Sequence, residues 1–410
     1  MKRKTALVIG TGIEVEHAVA LGRDFDVKYW TNYWNDFPCF RDFSYGLGME
    51  GIQKTETLGE YLDTVDLIAS FDIGYGDLIN YFRKHGKVCF GAGLGEKMET
   101  DRWWLKKELK KAGLDVMKSI KVKGIKELRE YLKKNDDRIV KLNIFRGDFE
   151  TVRIPSYSTA EPFLDIVETK FGAWKDAYEF IVEEPVDNAV ETGIDGIFSP
   201  SNGFILPCMW GIEMSSAYIG MWDNELPKWF RKTEKVLSKL MKQLDYRGFL
   251  STEHRINKTG NYLIDITARS PYPLGFIFNE AILNFGDVIW NIAADKKVVP
   301  LVKHKWWGCL PILSEELKTS DVCITFPKEI RRNVKINNGY MVNGKYYAVK
   351  DDYSSTVCAI VAGGDSIDDV IKNIKTIGDQ VDGLRLQKNY YLLDEMKEEF
   401  NKLKPYMNKQ

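Results

Sequence analysis

GFLSTEHRINKTGNYLIDITARSP, residues 248–271, reads as two strands joined by a polar loop, and its charges decide how the chain is to be understood. Side chains alternate along a strand. In 249–256 this places Phe249, Ser251, Glu253 and Arg255 on one face, opposite Leu250, Thr252, His254 and Ile256. In 262–269, Leu263, Asp265, Thr267 and Arg269 share a face. If NKTGN is a five-residue loop, Ile256 pairs with Tyr262 and Glu253 stands directly across from Asp265. Like charges so placed destabilise a sheet unless something compensates. A divalent cation would, since Mg²⁺ accepts one or two carboxylates and keeps water and phosphate oxygens as its other ligands. Arg255 and Arg269 on the same face add charge suited to a phosphate. The plain alternative is an exposed hairpin with surface ion pairs, and the position of the hairpin behind a long packed helix counts against it.

That helix, PKWFRKTEKVLSKLMKQLD, aligns Phe230, Leu237, Leu240, Met241 and Leu244 on one stripe. At the start of the chain, TALVIGTGIEVEHAVALG is an apolar strand, a glycine turn and a helix. With VDLIASFD and KVCFGAG it makes residues 1–95 a small α/β domain with a parallel sheet. TDRWWLKKELKKAG is a helix capped by Thr100 or Asp101, lined by Leu105, Leu109 and Ala112, and ended by Gly113. A helix over 124–134 leads into the strand RIVKLN. The strand YEFIVEEPV then enters a turn-rich stretch that runs to 204. Beyond 300 come short strands and two amphipathic helices, 366–381 and 391–404.

The 410 residues are 44% hydrophobic, enough for a large core in two to four lobes. Lys+Arg and Asp+Glu number 58 and 59, which disfavours a generic polyanion-binding role, and nucleic acid is not indicated. The six cysteines are scattered without a CxxC pair, as in a reduced cytoplasmic protein. MKRKTALVIG reads as a first strand and not a signal peptide. Nothing approaches the roughly 18 apolar residues that span a membrane.

Other residues stand out singly. Lys141 lies in a strand otherwise apolar at 139, 140 and 142, where an ammonium suits an anion, although a strand-end lysine reaching water looks the same. FRGDFET follows, and its Arg146 and Gly147 can close over phosphates or simply be solvated. IVEEPVDNAVETGIDG ends a buried strand in two acids and a proline, where backbone groups can read an adenine edge. His254, on the apolar face of the hairpin, is packed rather than catalytic.

In this order the parts resemble the ATP-grasp fold, in particular phosphoribosylamine–glycine ligases. GTGIEVEHAVAL is similar to that family's opening glycine turn, RGFLSTEHRINKTGNYLIDITAR to its metal-binding hairpin, and TVCAIVAGGDSIDDVIKNI to its C-terminal domain. The resemblance implies an N-terminal Rossmann-like domain (1–95), an ATP-grasp domain (96–300, with a lid lobe about 117–190) and a small C-terminal α+β domain (301–410). It implies that Lys141 and Arg146 hold ATP phosphates. Glu183 and Glu184, with Pro185 and Val186, form an adenine hinge, and Glu191 takes the ribose with Asp187 as competitor. Glu253, Asp265 and Thr267 bind Mg²⁺ or Mn²⁺, Arg269 and Arg255 face the transferred phosphoryl group, and Gly10, Gly12, Glu16 and His17 bind substrate. Asp265 and Thr267 replace the family's Glu and Asn, FRGDFET replaces its Gly-rich phosphate loop, SPYPLG replaces the Gly-Asp-Pro-Glu after the last Arg, and Glu14 lies near where an Arg is expected.

The implied activity is an ATP-dependent carboxylate–amine ligase, monomeric or homodimeric, taking a small carboxylate such as glycine and an amine. The rivals are a non-catalytic ATP-binding protein and an oxidoreductase using the N-terminal turn. That turn lacks the third glycine of GxGxxG.

Overall fold

The six uncharged residues TALVIG form the strand Thr5–Gly10 at the middle of a five-stranded parallel sheet. Asp26–Thr31 and then Ile52–Lys54 lie on one side, Leu67–Ser70 and then Cys89–Phe90 on the other. Leu7, Val8 and Ile9 are fully buried, as a parallel sheet covered on both faces requires. The computed structural model describes residues 3–31, 44–143 and 151–407. Arg146 and Cys39 lie outside the described residues. The chain divides into two units, the first made of 1–96, 192–251 and 267–410, the second of 97–191 and 252–266.

The second sheet of the first unit is ordered Val190–Ser199, Cys208–Met214, Ala217–Asp223, Trp306–Leu313, Thr356–Gly364, Val334–Ile336, with Gly248–Ile256 beside its first strand. One correction to the sequence reading follows. The supposed turn-rich stretch is mostly a ten-residue strand, Val190–Ser199, buried along nearly all its length. Its Gly196 serves close packing rather than turning: a Cβ there would meet Cys208 Sγ at 2.7 Å. Residues 301–410 belong to the same unit as 1–96 and 192–251. Trp307, Cys309, Ala359 and Val361 share one apolar core with Ala6, Val8, Phe71 and Phe249.

In the second unit, Ser119–Lys123, Glu179–Glu183, Arg138–Leu142 and Thr151–Ile154 form an antiparallel sheet in that order. Val122, Val140, Leu142, Phe180 and Val182 on one face pack against Ile125, Leu128 and Leu132 of helix Gly124–Leu132 and Ala160, Leu164 and Val167 of helix Tyr157–Phe171. The opposite face carries Lys141 and Glu183. Helix Arg102–Lys111 starts at Asp101, whose carboxylate accepts the Trp104 N–H at 3.0 Å. Leu105 and Leu109 are buried as expected, but Ala112 lies past the last turn and is exposed. The hairpin strands are Gly248–Ile256 and Asn261–Thr267. Their turn closes where Asn257 N–H donates to Gly260 C=O at 3.1 Å, one residue shorter than the five-residue loop expected.

Candidate active site

A strand buried on both sides leaves a lysine no route to water, so its ammonium must find anions. Lys141 is 4% exposed. Its Nζ lies 3.1 Å from the Ile264 carbonyl, 3.4 Å from Asp265 Oδ2 and 3.6 Å from Glu183 Oε2. Burial works against this ammonium, but Asp265 and Glu183 outweigh burial and hold its pKa above the ordinary lysine value. Helix Arg102–Lys111 supplies two further cations, Arg102 with Nη2 3.3 Å from Asp265 Oδ2, and Lys106 paired with Glu183 Oε1. The helix is held to the lysine strand by Asn143, whose side-chain oxygen accepts the Trp103 N–H at 2.8 Å, and by Arg102, which donates to the Leu142 carbonyl at 3.1 Å.

The two hairpin acids therefore sit in opposite electrostatic settings. Burial opposes the charge of Asp265, yet Lys141, Arg102 and the Ile266 amide draw its pKa down to about 2. On Glu253 the pull of Lys141 and Arg102 is outweighed. Burial, then Asp265 and Glu191, push it up to about 8. One carboxylate is held charged by cations, and the other is held close to neutral by its environment. Positive charge brought between the two would let Glu253 ionise. Among the described residues no group of three or more His, Cys, Asp or Glu could hold a metal. Two carboxylates with the remaining ligands from water and phosphate still suit Mg²⁺.

Beside the cluster opens a cavity of about 530 Å³, lined by Trp103, Lys106, Lys110, Met117, Lys118 and Tyr262 among others. That is within the size range of small-molecule pockets. Of the expected hinge, Glu183 is fully buried against the two lysines. Glu184 is half-buried and pairs with Lys118 at 2.7 Å, and Pro185 and Val186, leaving the strand, are half-buried too. Glu191 and Arg255 are brought together as an ion pair. His254 is fully buried, with Nδ1 2.8 Å from Asn261 Oδ1, and burial lowers its pKa to about 4. Thr267 ends the second hairpin strand, half-buried.

In the first unit, Arg269 Nε lies 3.4 Å from Asp72 Oδ1. Glu16 and His17, expected to bind substrate, are both buried there. His17 is 3% exposed; Nδ1 is 2.7 Å from Asn279 Oδ1 and Nε2 is 2.8 Å from Ser270 Oγ, so both nitrogens are taken. The Asn279 amide nitrogen donates to the Glu16 carbonyl, so Asn279 Oδ1 accepts; Nδ1 carries the proton and Nε2 accepts from the serine. Glu16 is wholly buried, accepting from the Ile336 N–H at 3.0 Å and from Arg331 Nη2 at 3.0 Å. Lys335, 1% exposed, adds a bond of 2.5 Å to Glu280. These groups join a helix, a strand and the core. Gly10 and Gly12 do form the turn, with Gly12 at φ +116°.

Sequence reasoning missed Arg102 and Lys106. The available signal was their place on the buried stripe with Leu105 and Leu109, where cations need anions.

No family profile matches the sequence, and no curated protein matches it. Solved structures do resemble it. Phosphoribosylamine–glycine ligase from Thermotoga maritima superposes with a TM-score of 0.69 over 94% of this chain and 98% of its own, at 15% identity. The biotin carboxylase domain of Hydrogenobacter thermophilus 2-oxoglutarate carboxylase, solved with MgADP and bicarbonate, gives 0.68 over 96% and 94%, at 12% identity. Biotin carboxylase from Campylobacter jejuni gives 0.68 over 98% and 97%, at 15% identity. The chain thus shares along nearly its whole length the ATP-grasp fold of these enzymes.

Proposed function

We propose that this protein is an ATP-dependent carboxylate–amine ligase. The observation that carries the reading is the convergence, in one unit, of Lys141, Arg102 and Lys106 on Asp265 and Glu183, with Glu253 alongside. In this reading ATP phosphorylates a substrate carboxylate, an amine attacks the acyl phosphate, and phosphate leaves beside ADP. Lys141 and Arg102 turn from Asp265 toward the phosphates, which frees Asp265 to ligate metal. Glu253 and Asp265, with Thr267 two residues further along the strand, would hold Mg²⁺, whose part is to neutralise phosphate charge and orient the transferred group. Glu183 keeps Lys106 and Lys141 in place. The backbone of Glu184 to Val186 would receive the adenine edge, and Glu191, released from Arg255, the ribose. Positioning and charge neutralisation suffice for this chemistry, with no strong base needed.

The fold likeness supports the nucleotide and the reaction class, since structures of this shape were solved with ADP or MgADP. The test is ATP turnover with Mg²⁺ against a panel of amino acids and amines, glycine among the former, with ADP and AMP both quantified. ADP and phosphate appearing only with a carboxylate–amine pair are expected. AMP with pyrophosphate would mean adenylation and refute the proposal.

A second reading, a silent ATP-binding protein, draws on the internal pairing of Asp265 with two cations. It predicts tight nucleotide binding with no turnover across the panel.

A further inference from the structure

The turn between strand Thr5–Gly10 and helix Val15–Leu21 has the strand–glycine–helix form whose free amides hold phosphates in nucleotide-binding folds. Here those amides are already taken. Glu14 Oε2 accepts the N–H groups of Thr11 at 2.8 Å and of Gly12 at 3.1 Å, and Oε1 lies 3.0 Å from the Thr11 hydroxyl. The carboxylate is pressed onto the turn so closely that a Cβ on Gly10 would stand 2.5 Å from it. Glu14 is 1% exposed. A second acid stands behind it: the Thr11 hydroxyl is 3.1 Å from Asp72 Oδ2. The Thr11 hydroxyl thus lies between two carboxylates, of which Asp72 is also paired with Arg269 and accepts the Ile73 N–H at 2.9 Å, while Glu14 is the one seated on the turn amides. Burial and Asp72 raise Glu14 to about 7, in keeping with that crowding.

We propose that Glu14 is a specificity-determining residue, the chain's own anion on the glycine turn, and that it bars a phosphate ester there, so that the amine acceptor is unphosphorylated. This rests on the ligase reading above for the word acceptor, but the exclusion of phosphate rests on geometry alone. A phosphate entering the turn would have to displace a buried carboxylate that has three hydrogen-bond partners, and would then face Asp72. Like charges brought together at close range cost enough to change affinity by about a hundredfold or more. Phosphoribosylamine is thereby removed from the acceptors that this chain would use.

The test compares the full-length chain with Glu14→Ser, which empties the turn. Each is titrated calorimetrically with ribose 5-phosphate under saturating Mg²⁺ and ADP, which keep the probe out of the nucleotide site. The serine variant should bind at least about tenfold more tightly than the native chain. Equal behaviour of the two proteins, whether both bind or neither does, overturns the assignment. If the serine variant does not fold, Glu14→Gln keeps an acceptor oxygen for the amides without the charge and should shift in the same direction. Tight binding of ribose 5-phosphate by the native chain overturns it with no variant at all. A parallel assay follows ADP release with matched amines, with and without a phosphate ester. ADP from the phosphorylated member refutes the inference and leaves the ligase standing. No ADP from any pair refutes the ligase reading, while the calorimetry still decides the role of Glu14.

Discussion

Glu183 has no exposed surface, and a carboxylate so placed persists only because Lys106 and Lys141 both reach it. Glu183→Gln should therefore leave two buried ammonium groups short of an anion and lower the unfolding free energy by about 3 kcal/mol in urea titration. A Glu183→Gln, Lys106→Met double variant should recover part of that loss. Two other buried groups give stability opposite pH dependences. Burial holds His17 neutral down to about pH 4, whereas an unfolded histidine takes its proton near 6.5. Its contribution is complete above 6.5 and is lost as pH falls from there towards 4, with about 2 kcal/mol going between pH 7 and 5. Asp195 is raised by burial from 3.8 to about 6 despite accepting from Ser251 and Tyr218. It binds its proton earlier than an unfolded carboxyl, so the fold regains about 1 kcal/mol over the same interval. From pH 7 to 5 the urea midpoint should therefore rise relative to native in His17→Gln and fall relative to native in Asp195→Asn; the reverse order would show that neither group titrates as placed. Lys141 was legible in the sequence because it is the lone charge among apolar neighbours. Arg102 and Lys106 were not, because lysine-rich helices ordinarily turn such residues to water.

At the scale of elements, periodicity found the helices well. Phe230, Leu237 and Met241 are fully buried on the stripe that the spacing predicts, and Leu237→Ala should cost about 3 kcal/mol, read from the same titration. A loss below about 1 kcal/mol would mean that the stripe does not pack as described. Strands interrupted by glycine were harder to see. Gly211 lies opposite Gly220 on adjacent strands, and a Cβ on either would stand 2.5 Å from the Tyr218 hydroxyl. The glycines make room for Tyr218 to reach Asp195, a contact between residues 23 apart that no local pattern announces. The hairpin was recognisable because its acids broke the alternation expected of a surface strand. Its turn closes a residue earlier than the composition suggested, because the Asn257 side chain accepts the N–H groups of Thr259 and Gly260 at 2.8 and 3.2 Å.

At the scale of the whole molecule, each of the two units is assembled from separate stretches of chain, the first from 1–96, 192–251 and 267–410. Within that unit, strand Trp306–Leu313 lies between Ala217–Asp223 and Thr356–Gly364 in the same sheet. Hydrophobic patterning marks what is buried but not which distant strand buries it. Truncation after Pro300 should therefore give a chain without cooperative unfolding, seen as loss of near-ultraviolet circular dichroism, rather than a trimmed and active enzyme. The residue sets also impose an order of events during synthesis. The second unit begins at 97 and pauses at 191, and its last segment, 252–266, emerges only after about 75 further residues have been made. At roughly 5–20 residues per second that is a wait of several seconds. Throughout it, Lys141 and Arg102 are on the nascent chain without Asp265. The ribosome thus delivers the basic half of the candidate site well before the acid that neutralises it.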